Sequence, residues 1–97
     1  MLFKILRAPE WAAFQESERF EGSADDLRDG FIHLSGAEQV EGTLQKYFSS
    51  QSGLVVAEVA VDNDPMLRWE PSRGGALFPH LYRPMVMRDV AGWKAIS

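Results

Sequence analysis

The run LVVAEVAV (residues 54–61) constrains the fold more than any other part of the chain. It is rich in β-branched residues, carries one charge at Glu58 and is closed by the turn signal DNDP, so it reads as a central strand. The other elements have to be arranged about it.

Before it, LFKIL (2–6) is a short apolar run bounded by Arg7 and Pro9, which suits a first strand. Pro9 fits the first position of a helix, and Trp11 with Phe14 gives that helix, to Glu18, an apolar face. EGSADDLRDG (21–30) is polar, a loop with one helical turn that Ser23 caps through Asp26 and Gly30 ends in a left-handed conformation. FIHLS (31–35) is a second strand. Ser35 and Glu38 have the form of a capping box, opening a helix over 36–48 with the stripe Ala37, Val40, Leu44, Tyr47 and Phe48. After Pro65 come short strand-like pieces, MLRWE, LFPHLY, MVMR and WKAI, with Trp69 expected to anchor its strand in the core. Pro79 and Pro84 cannot donate ladder hydrogen bonds, which places the pieces around them at sheet edges or in loops. The order predicts an α+β fold, a compact single domain of mixed, mostly antiparallel sheets with two helices in the N-terminal half.

With 97 residues there is room for one core, so residues 1–97 form one domain. Ten basic and fourteen acidic side chains give a net charge of -4, which offers no general attraction to a nucleic acid or an anionic membrane surface and favours a small-molecule ligand. The absence of cysteine removes disulfides, thiolate metal sites and cysteine nucleophiles. MLFKILRAPEWAAF has too short an apolar run for a signal segment, and a soluble, cytoplasmic protein is expected.

The two histidines lie in DGFIHLS (29–35) and FPHLY (78–82). If Ile32 and Leu34 face the core, Phe31, His33 and Ser35 share the other face, and His33 can donate to a sugar hydroxyl or phosphate oxygen beside a helix N-terminus. The alternative is a buried neutral imidazole bonded to a backbone carbonyl. Arg68 and Glu70 share one face of MLRWE, either as a solvated pair or with Glu70, extended before Pro71, turned to a ligand hydroxyl. In PSRGG, Arg73 and the glycines Gly74 and Gly75 form either a surface turn or a weak phosphate loop. Phe78, His80 and Tyr82 make an aromatic face, either core or a stacking wall. No short histidine spacing supports a metal site, and Ser35 is better explained as a cap than as a nucleophile.

EGSADDLRDGFIHLS, RWEPSRGGALFPHLY and the opening FKIL with EW closely resemble the family known as domain of unknown function 952, small bacterial and plant proteins. The resemblance covers nearly the whole chain. That family is similar in fold to ADP-ribosyltransferases, which implies two small packed sheets around a cleft for NAD or a related nucleotide. On this analogy His33 and Glu70 are catalytic, His33 holding the ribose or adjoining amide and Glu70 accepting from a ribose 2′-hydroxyl. Arg73 or Arg68 meets the pyrophosphate, and His80 or Tyr82 lines the pocket. The same resemblance leaves open a module that binds a nucleotide without cleaving it.

Overall fold

The computed structural model describes residues 1–72 and 74–96. The chain runs through β1 (Leu2–Arg7), α1 (Ala8–Ser17), β2 (Arg19–Phe20), α2 (Ala24–Asp29), β3 (Ile32–His33), β4 (Ser35–Gly36), a 3-10 turn (Ala37–Gln39) and α3 (Val40–Tyr47). It continues as β5 (Leu54–Val59), β6 (Leu67–Pro71), β7 (Leu77–Leu81), β8 (Met85–Val86), a second 3-10 turn (Met87–Asp89) and β9 (Val90–Ile96). The strands form a four-stranded sheet in the order β4-β1-β5-β9, a three-stranded sheet β3-β7-β6 and a two-stranded ribbon β2-β8. Every pairing is antiparallel. The architecture is the expected α+β class, with β5 inside its sheet as the β-branched run requires. None of the described helices is long and apolar enough to cross a membrane.

The expected single strand over 31–35 is two strands in two sheets. Ile32 and His33 pair with Leu81 and His80 of β7, whereas Ser35 and Gly36 pair with Phe3 and Leu2 of β1. Leu34, buried between them, donates its N–H to the carbonyl of Pro79. Five residues thus stitch the sheets together, and the side of this crossing away from the core faces a cleft.

One core holds the layers. Trp11 and Phe14 of α1, Phe20 of β2, Leu6 of β1, Val59 of β5, Leu81 of β7 and Met85 of β8 belong to a single buried cluster. The Phe14 ring makes an edge contact with Trp11 and a tilted one with Phe20. α1 ends at Glu18 in a left-handed conformation (φ 64°), its N–H returned to the Phe14 carbonyl, which turns the chain directly into β2. The predicted turn at 23–30 is the six-residue α2, capped by Ser23 and closed by Gly30 at φ 87°, a third helix beside the two expected.

Three local expectations fail for physical reasons. The helix expected over 36–48 is a 3-10 turn followed by α3, and its cap is not the Ser35–Glu38 pair. Gly36 donates its N–H to the Gln39 side chain at 2.8 Å, while the Ser35 hydroxyl meets Thr43 Oγ1, because Ser35 is already drawn into β4. Trp69 is 47% exposed, because β6 is a sheet edge, and the far end of the indole reaches a neighbour, Gly36. Pro79, expected at an edge or in a loop, is fully buried in β7, the middle strand of its sheet. Its carbonyl is used by Leu34. A residue's N–H and C=O point to the same side of a strand, so the missing donor falls where β3 ends, and one ladder bond is lost.

Replacing Phe14 by alanine should lower unfolding free energy by ~3–5 kcal/mol in urea titration. Trp93→Ala, at a site 55% exposed, should cost far less.

Candidate functional site

The cleft between the two main sheets has a volume of about 740 Å³ and is walled by β1, α2, the β3–β4 crossing, α3 and the β6–β7 hairpin. Such a volume suits a nucleotide-sized ligand. Ile32, Leu34 and Ser35 are all buried, and Phe31, His33, Leu34 and Ser35 line the cleft, because the chain changes sheets at Leu34 and the alternation of a single strand is lost.

His33 is held from beneath by a buried ionic network. Lys4, the lone charge of LFKIL, reaches the Asp26 carboxylate at 2.9 Å and the His33 carbonyl at 3.0 Å. The same carboxylate accepts from the N–H of Ser23 and of His33 and lies 2.6 Å from His33 Nδ1. Gly22 makes room for it: at φ 135° a Cβ there would stand 2.8 Å from the Asp26 Cβ. Burial alone would push the Asp26 carboxyl up. The His33 hydrogen bond, the charge of Lys4 and the Ser23 amide outweigh burial and hold it well below the usual carboxylate range. The other ring nitrogen of His33 lies 3.0 Å from Asp29. Both contacts are hydrogen bonds at once only when both nitrogens carry hydrogen.

His80 sits directly across the strand pair, its ring centre 5.7 Å from that of His33. It stacks on Phe31 at 4.0 Å and its Nδ1 is 2.8 Å from Glu70 Oε1. The Tyr82 hydroxyl donates to that same oxygen at 2.7 Å. The bonds from Tyr82 and His80 lower the Glu70 carboxyl, and Glu70 in turn raises the Tyr82 phenol. His80 is buried, 5% exposed, and lines the cleft, and its Nε2 has no protein hydrogen-bond partner among the described residues.

Of the residues predicted from sequence, His33, Ser35 and His80 line the cleft. Glu70 does not; it stands behind His80, because β6 is one strand further out than β7. Tyr82 joins Glu70 there, and the Arg68 guanidinium lies 5.9 Å from the Tyr82 ring centre, exposed. Gly74 is off the cleft wall, although Ser72 and Ala76 on either side of its turn reach it. Arg73 lies outside the described residues. Lys4, Asp26, Asp29 and Phe31 complete the site without having been singled out for it. Lys4 carries a signal in the sequence, a single lysine inside the apolar run LFKIL, and it is buried. Asp26 was legible as a capping residue, which concealed its second role. Among the described residues no three histidine or carboxylate side chains are grouped so as to hold a metal ion.

The model of the family described as protein of unknown function (DUF952) matches residues 5–93, and the chain belongs to that family. The crystal structure of CC0527 from Caulobacter crescentus is similar at a TM-score of 0.90 and 49% identity, covering 96% of this chain and 82% of that one. The solution NMR structure of CC0527 gives 0.87 and 49%, over 96% of this chain and 81% of that one. No curated protein matches.

Asp26 predicts a pH dependence with a definite sign. Its folded carboxyl titrates below its unfolded range of ~3.9, so its contribution is complete above that range and is lost as pH falls below it. Asp26→Asn, which leaves the buried Lys4 ammonium without a counter-charge, should lower stability by ~3–5 kcal/mol at neutral pH. It should also flatten the acid limb relative to wild type in urea melts taken across the acid range.

Proposed function

We propose that this member of the DUF952 family binds a ribonucleotide of the NAD or ADP-ribose type in the cleft and acts at its ribose, transferring or hydrolysing ADP-ribose. The observation that carries this reading is the pair of imidazoles, each hydrogen-bonded to a carboxylate, side by side on one cleft wall in an edge arrangement with ring centres 5.7 Å apart. Paired rings fixed by carboxylates suit the hydroxyl-rich edge of a sugar, one to clamp it and one to move a proton. The kinship in fold to ADP-ribosyltransferases implied by the sequence resemblance belongs to the same reading.

In the hydrolytic form, the bond between ribose C1′ and nicotinamide breaks and nicotinamide leaves with the electron pair. A water oxygen then bonds to C1′, and its proton passes to His80 Nε2. Glu70 orients His80 through Nδ1 and stabilises the imidazolium that forms, acting through the histidine instead of on the ribose itself.

A second reading, a module that binds the nucleotide without cleaving it, is favoured by one observation: Glu70 Oε1 is already engaged by His80 and Tyr82 and is off the cleft wall. Thermal unfolding with NAD and ADP-ribose tests binding, and nicotinamide release separates the readings. At 100 times its dissociation constant a ligand stabilises by ~2.7 kcal/mol. That shift should disappear in His33→Ala and His80→Ala. For an enzyme, Glu70→Gln should keep the shift and slow nicotinamide release ~100-fold or more. A shift without release selects the binding module, and no shift with any ribonucleotide rejects both.

A further inference from the structure

The other end of the cleft carries a feature the histidine pair does not use. β1 ends in Arg7, three residues beyond Lys4 and therefore ~10 Å further along an extended strand. Its guanidinium lies 5.1 Å from the centre of the Phe48 ring, and its Nε donates to Gln51 Oε1 at 3.0 Å. The stack and the Gln51 bond fix the plane of the donor fork. The carboxylate of Glu10 is 3.8 Å from one terminal nitrogen, beyond hydrogen-bond reach, so the terminal donors have no protein acceptor among the described residues.

Cation pairing divides the cleft into two ends. Of the described cationic side chains on its walls, Lys4 is committed to Asp26, and Arg28 to Asp25 and Asp29. Arg7 and Lys46 line the same cleft without a carboxylate hydrogen bond to their side chains, Lys46 resting 5.4 Å from the Tyr47 ring centre. The α2 end therefore sets three carboxylates, Asp25, Asp26 and Asp29, against Lys4 and Arg28, while the other end sets Arg7 and Lys46 against Glu10 alone.

We propose that Arg7 and Lys46 form a phosphate subsite, and that the ligand is a nucleoside diphosphate derivative whose pyrophosphate lies there while its sugar lies at His33 and His80. A planar guanidinium fork pairs with two phosphate oxygens at once, and a lysine adds a point charge without demanding geometry. The sugar end of this assignment rests on the function proposed above; the phosphate end does not.

The test titrates wild type, Arg7→Gln, Lys46→Gln and His80→Ala with inorganic pyrophosphate and with ADP-ribose by calorimetry at low salt. Arg7 and Lys46 are exposed enough for their variants to fold, and circular dichroism melts check this. Pyrophosphate is expected to bind wild type and His80→Ala alike, and Arg7→Gln is expected to weaken both ligands about tenfold or more. Lys46→Gln should weaken both less, and added salt should weaken both. ADP-ribose binding that neither Arg7→Gln nor Lys46→Gln changes would overturn the subsite and leave the ribose reading intact. Pyrophosphate binding that depends on Arg7, with ADP-ribose no tighter and indifferent to His80→Ala, would keep the subsite and reject the ribose reading. Failure of wild type to bind either ligand would overturn both.

Discussion

The carboxylate of Asp26 is the point on which the site depends. It is buried, and it accepts from a lysine on β1, from two backbone amides and from the imidazole of His33. An ionised carboxyl so far from water is tolerable only with this many donors, and they come from three pieces of the chain, two of them from His33. The ammonium comes from the large sheet, one amide from the start of α2, and the imidazole from the crossing strand. The network that makes the charge affordable also fixes where the small sheet meets the large one.

The two histidines therefore have unlike freedom. His33 is held at both ring nitrogens, by Asp26 and Asp29, and changes partner only if a ligand displaces Asp29. His80 is held at one nitrogen, braced by Phe31 and Glu70, and its other nitrogen has no protein hydrogen-bond partner among the described residues. A rigid clamp beside an oriented proton carrier is an arrangement suited to a sugar hydroxyl or an attacking water. The fold supplies this asymmetry through topology: β3 and β7 pair His33 with His80, and β6 adds Glu70 behind β7 alone.

Much of this could be read from the chain. A central strand within the β-branched run at 54–61, the amphipathic α1, and the Ser23 cap and Gly30 stop follow from local patterning, although the single turn expected between that cap and stop is the helix α2. What failed depended on neighbours distant in sequence. Alternation cannot tell that residues 32–33 and 35–36 pair with different strands, and this change of sheet moved the helix cap from Ser35 to Gly36. Trp69 alternates as a core residue should, yet on an edge strand it stays 47% exposed. Pro79 is accepted mid-sheet because its neighbour β3 stops there. Glu70, expected on the cleft as the carboxylate held before Pro71, stands behind His80 and off the cleft wall, because its reach depends on strand order, which the sequence does not carry.

The most direct test of the account is the side-chain nitrogen spectrum of the two imidazoles during titration with ADP-ribose. The account predicts that the Nε2 signal of His80 moves with ligand while its Nδ1 signal, bonded to Glu70, holds, and that His33 responds at the nitrogen facing Asp29 and not at the one facing Asp26. Ligand binding that leaves both imidazoles unchanged would contradict it, placing the site elsewhere on the molecule.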